Sequence, residues 1–152
     1  MAWFGQVVGS ASDAVMEPND LGRIVLDDWN MLPERLPHVR LDQFQLMPDH
    51  FHGIIILDGS KSTSAERSRS RVDAAGRGGD GRSRANGPLP GSLGAIIGAF
   101  KSGSTIRMNH LRDTPGQRYW KKGFHDWRIR PTQPGQFERI AHYIASNPAR
   151  WP

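Results

Sequence analysis

Between positions 59 and 90 the chain reads GSKSTSAERSRSRVDAAGRGGDGRSRANGPLP, a stretch with six glycines, seven Lys or Arg and no aromatic residue. Val72 and Leu89 are its only large apolar side chains, so burial there cannot offset the entropy lost on ordering. The segment is predicted to be a disordered basic insertion, and any core must come from residues 1–58 and 91–152. Together these two pieces suit one domain, because 152 residues at 37% hydrophobic content supply one core and fall short of two.

Cysteine is absent, which excludes disulfides, thiolate metal sites and thiol catalysis and leaves N and O donors for any metal. The opening MAWFGQVVGSASDAV lacks a basic leader and a long apolar run, and no stretch approaches the roughly 20 apolar residues of a spanning helix. A soluble, cytoplasmic protein without membrane contact is the expectation. Charge divides by position: residues 1–60 carry a net −6 and residues 61–152 a net +11. A polyanion such as nucleic acid is the partner this asymmetry suggests, and a solvated basic surface is the other reading.

On the N-terminal side of the insertion, apolar spacing in 22-GRIVLDDWNMLPERLP-37 predicts a helix closed by Pro37. Two strands follow, over 38–48 and 50–57, with Pro48 and Asp49 suited to the turn between them. Strand alternation puts His50, His52, Ile54 and Ile56 on one face and Phe51, Gly53, Ile55 and Leu57 on the other. Beyond the insertion, a Ser92 cap and the spacing of Leu93, Ile96, Ile97 and Phe100 predict an amphipathic helix over 92–111. A strand over 118–130 and a closing helix over 135–148 with Phe137, Ile140, Ala141 and Ile144 on its apolar side complete the order. The fold class expected is α+β, an antiparallel sheet with helices packed on one face.

Two imidazoles on one strand face can converge on one divalent ion, and they can equally be the hydrogen-bonded start of an ordinary strand. The closing helix supplies possible partners. Tyr143 and Asn147 are four residues apart, hence on one flank, and Pro148 biases Asn147 away from helical geometry and frees its side chain. A phenol one turn from a metal ligand can act as a nucleophile. In the alternative reading Tyr143 packs on the sheet and Asn147 caps the helix. His125, Asp126, His142, His38 and His110 carry no comparable pattern.

Taken in order, MPDHFHGIIIL, SLGAIIGAFKS, YWKKGFHDWRIR and RIAHYIASNPARW resemble the single-tyrosine HUH transposases, in particular the REP-associated tyrosine transposases. The resemblance covers nearly everything outside 59–90. It implies a ferredoxin-like sheet, a divalent ion (Mg²⁺ or Mn²⁺), and single-stranded DNA with a hairpin as substrate, handled by a monomer or homodimer. On this chain it implies His50, His52 and Asn147 as metal ligands and Tyr143 as the nucleophile. Tyr143 would leave a 5′-phosphotyrosine and a free 3′-OH. Lys101, Arg107, Lys121, Lys122, Arg128 and Arg130 are then candidates to track the DNA backbone, and Trp120, Phe124 and Trp127 to stack on bases. Core packing is the competing role for at least one of the two indoles. Two departures stand out: Asp49 replaces the usual Asn before the first histidine, and the strand that family members carry ahead of the Phe4-Gly5 dipeptide is missing. A catalytically inactive remnant that only binds nucleic acid is the alternative function, and a nuclease using water in place of tyrosine is a third.

Overall fold

The computed structural model describes residues 1–59 and 91–152; residues 60–90, where the disordered insertion is expected, lie outside the described residues. In chain order the elements are β1 (Gly5–Val8), β2 (Val15–Pro18), α1 (Asp20–Asn30), α2 (Leu32–Arg35), β3 (Val39–Leu46), β4 (Phe51–Leu57), α3 (Leu93–Arg112) and α4 (Gln136–Ala145). Single 3-10 turns form at Ala11–Asp13 and Pro148–Arg150. The chain is α+β. Its strands form two antiparallel pairs, β1 with β2 and β3 with β4.

Helix α1 begins two residues before the predicted start, because Asn19 caps it: Gly22 N–H donates to Asn19 Oδ1 at 3.0 Å. The predicted single helix to Pro37 is broken at Met31. Pro33 has no N–H for an α-helical bond and lies in the first turn of a new short helix, α2. Both α1 and α3 pack on one face of the β3–β4 hairpin. Trp29 is the centre of that contact, with ring centroids 4.6 Å from Phe51, 5.7 Å from Phe100 and 6.1 Å from Phe44. Gly53 is required beneath it, since a Cβ there would come within 2.5 Å of the Trp29 ring.

Cross-strand register places Gln45 opposite His52 and Arg40 opposite Ile56, so these residues share the second face of the hairpin. Helix α4 covers that second face, where it contacts both β3 and β4. The expectation of helices on one face is therefore corrected. Ile54 on the histidine face and Ile144 on α4 are both buried yet stand apart from the main core, and α4 removes this second apolar surface from water.

The N-terminal hairpin was not foreseen from the sequence, because four-residue strands give too little alternation to read. It is tied to the second pair through buried Phe4, whose N–H donates to Pro48 O at 2.9 Å and whose carbonyl accepts from Asn19 N–H at 3.0 Å. The strand predicted over 118–130 does not form. Carbonyls that a ladder would need are taken by Lys101, whose Nζ donates to Lys121 O and Gly123 O, each at 2.6 Å. Gly116 and Gly123 also turn the backbone through positive φ, 85° and 75°. Across the insertion, His38 Nε2 lies 3.1 Å from Gly91 O, and Asp58 N–H donates to the main-chain carbonyl of His38 at 2.8 Å, so its two ends meet at one buried residue. Among the described residues no helix is long and apolar enough to cross a membrane.

Candidate active site

Strand β4 follows the Pro48–Asp49 turn, which is closed by Met47 N–H donating to His50 O at 2.8 Å. Strand alternation then turns both imidazoles to the α4 side, with ring centroids 4.8 Å apart and planes at 88°. His50 Nδ1 donates to Asp49 Oδ1 at 2.5 Å. A carboxylate can only accept, so this contact puts a proton on Nδ1, and the neutral imidazole then carries its lone pair on Nε2. Burial, and next the proximity of His50, lower the pKa of His52 below its ordinary 6.5, which holds it as a neutral donor of an electron pair.

The His52 shift has a consequence for stability. In acid the unfolded chain takes up a proton at His52 before the folded one does, so stability present above pH 6.5 is lost as the pH falls through the window between 6.5 and the lower folded value. Urea midpoints compared at about pH 7.5 and about pH 5 should show this loss, and the difference should shrink in His52→Gln.

Helix α4 brings Tyr143 to the same place: its ring centroid is 5.9 Å from that of His52, at 79°, and the residue is 46% exposed. Asn147 is buried at 9% exposure. Its geometry corrects the expectation that Pro148 would free it, since its φ of −57° and ψ of −42° are helical. Its Nδ2 instead donates to Tyr143 O at 2.9 Å and Ile144 O at 3.4 Å, satisfying carbonyls that the helix end leaves over. The cap spends only the amide nitrogen. Oδ1 remains as the atom that can serve a cation.

Two neighbours escaped sequence reasoning. Arg150 places its guanidinium carbon 5.2 Å from the centroid of the Tyr143 ring, and Trp151 lies 6.0 Å from His50 at 37°. The signal for Arg150 was available, because it is seven residues and so two helical turns beyond Tyr143. Among the described residues no group of three or more His, Asp or Glu side chains is arranged to hold a metal ion. Any ligand set built from His50 and His52 thus needs another kind of donor, and the Asn147 amide is of that kind.

The candidate DNA-binding residues divide into two groups. Lys101 is committed to the two carbonyls, and burial lowers its pKa from the ordinary 10.5. Arg107 pairs with Asp28 at 2.6 Å and Asp27 at 3.6 Å. Trp120 turns inward, with its Nε1 donating to Ser104 Oγ at 3.0 Å and its ring 4.7 Å from Phe4. By contrast Lys121, Lys122, Arg128 and Arg130 are exposed, with no carboxylate in ion-pair range among the described residues. Trp127, at 78% exposed, and Phe124 lie among them. A groove of about 410 Å³ between α3 and the 118–122 segment is lined by Lys101, Arg118, Trp120, Lys121 and Lys122.

These residues define a class of site: a histidine pair on a strand, a half-exposed tyrosine and a capped amide on the helix across it, carried by an α+β chain. The chain is similar to an uncharacterized protein of Haemophilus influenzae, 28% identical in an alignment that covers 97% of this chain and 73% of that protein. No family model matches it. No solved structure matches it either.

Proposed function

We propose that this chain is a metal-dependent DNA strand transferase of the single-tyrosine HUH type, acting in the cytoplasm as a monomer or homodimer on single-stranded DNA with a hairpin. The observation that carries the reading is the approach of Tyr143 to His52 at 5.9 Å, with Asn147 one helical turn further on. Tyr143 and the histidine pair, more than 90 positions apart in sequence, thus meet on the one face of the hairpin that α4 covers. A ferredoxin-like sheet is the fold this reading calls for. Each strand of the β3–β4 pair has one ladder only among the described residues, which leaves edges for further strands.

The donor set fits a hard or borderline divalent ion, Mg²⁺ or Mn²⁺: His50 Nε2, neutral His52 and Asn147 Oδ1 would hold it. When bound, such an ion draws negative charge from the phosphate under attack. The chain's own residues do the rest. Tyr143 Oη attacks phosphorus, the bond to the 3′ oxygen breaks, and a 5′-phosphotyrosine and a 3′-OH result; reversal on a second 3′ end joins strands without ATP. Lys121, Lys122, Arg128 and Arg130 track phosphates, and Trp127 offers a stacking surface to an unpaired base. Asp49 orients His50 through Nδ1. Asp49→Ala is expected to weaken Mn²⁺ binding by about 10–100-fold, with Asp49→Asn losing less, measured by titration followed by electron paramagnetic resonance.

The reading is tested by incubating the protein with Mg²⁺ or Mn²⁺ and labelled hairpin-bearing single strands, then denaturing. An adduct that survives denaturation and maps to the Tyr143 peptide is expected. Cleavage without an adduct supports hydrolysis by water in its place, and a gel shift without cleavage supports a binding-only remnant.

A further inference from the structure

Tyr143, Asn147 and Arg150 stand at i, i+4 and i+7, one flank of a continuous helical path. The path continues past the end of α4 because Asn147 keeps helical dihedrals and Arg150 N–H donates to Asn147 O at 2.9 Å, closing the 3-10 turn Pro148–Arg150. This local geometry delivers the guanidinium to the phenol, 5.2 Å from the ring centroid. Arg23, Arg35 and Arg107 each have an aspartate within 4.0 Å; Arg150 is exposed and has no such partner among the described residues. Resting over a ring uses none of its five N–H donors. An unneutralised, donor-rich, planar cation beside a half-exposed phenol is suited to a tetrahedral oxyanion, which guanidinium can grip with two parallel bonds.

We propose that Arg150 is a phosphate clamp, donating two N–H bonds to the non-bridging oxygens of the phosphodiester that Tyr143 attacks. The proposal rests on the strand-transfer reading above and adds a residue to it. In the step concerned the Tyr143 Oη–P bond forms and the P–O3′ bond breaks. The phenol proton passes to solvent, and the departing 3′ oxygen takes a proton from solvent, so atoms and charge balance. Arg150 changes no bond. It holds the phosphate against Oη and offsets the charge that gathers on the non-bridging oxygens as phosphorus becomes five-coordinate.

The test compares the full chain with Arg150→Ala and Arg150→Lys on two versions of the same single strand. One carries an ordinary phosphate at the cleavage position mapped with the unmodified protein, and the other carries an uncharged methylphosphonate there. Adduct formation on the phosphate should slow about 100-fold in Arg150→Ala and recover in part with Lys. On the methylphosphonate, which offers no negative charge to clamp, the unmodified protein and Arg150→Ala should react at the same rate. An equal loss on both strands in Arg150→Ala would mean that the residue merely supports the fold, and unchanged rates on the phosphate would mean that it plays no part; either overturns the clamp while the adduct itself upholds the strand-transfer reading. Should the unmodified protein form no adduct on any strand, both fall together.

Discussion

Tyr143→Phe is expected to abolish the denaturation-resistant protein–DNA adduct while leaving the protein folded. The hydroxyl is the only group removed. The ring that meets His52 and lies under Arg150 is retained, and at 46% exposure the site tolerates the change within about 0.5 kcal/mol, as surface substitutions do. The chain has only two tyrosines. The other, Tyr119, is buried with its hydroxyl 2.9 Å from Thr114 Oγ1 and its ring against Trp3, so it cannot reach a phosphate in the folded state. Tyr119→Phe should therefore keep the adduct. Denaturing gels and urea midpoints on the two variants check both statements, and an adduct that persists in Tyr143→Phe would remove the nucleophile from the proposed mechanism.

The histidine face was legible because strand alternation is a property of the backbone: Ile54 and Ile56 share it with the pair, and Phe51, Ile55 and Leu57 stand on the other. The Ser92 cap was equally legible, being a local bond: Ala95 N–H donates to its Oγ at 3.3 Å. What failed was non-local. The 118–130 segment has the aromatic content and spacing of a strand, but its carbonyls are claimed by Lys101, a residue some twenty positions away that no window of local sequence includes. Asn147 failed for a different reason. The bias that proline imposes on the preceding residue is a preference, and here two carbonyl bonds to the amide and the 3-10 turn outweigh it. Asp49 changed meaning once its partner was visible. A departure from the expected Asn became the acceptor that fixes the tautomer of His50.

Arg107 shows the same limit, and its replacement carries the other large effect. As a basic residue on a helix in the positive half of the chain it was a candidate phosphate contact, yet its guanidinium reaches Asp28 at 2.6 Å and Asp27 at 3.6 Å, joining α3 to α1. Asp28 is 2% exposed, its Oδ2 has no hydrogen-bond partner, and its other cation, Arg35, is 3.9 Å away. Removing one member of a buried pair costs about 3–5 kcal/mol because the other charge stays desolvated, and the half-exposed guanidinium puts Arg107→Ala at about 3 kcal/mol. The second change Asp28→Leu should restore part of that loss, since it removes the stranded carboxylate instead of repairing the pair. Arg128→Ala makes the contrast: stability should hold, while affinity for single strands falls and its salt dependence weakens by about 0.7 in log–log slope, one phosphate's worth of counterion release. Urea unfolding and salt-titrated DNA binding on the same two variants separate these roles. If Arg107→Ala instead keeps its stability and loses DNA affinity, the ion pair is incidental and the phosphate contact expected from the sequence is the correct one.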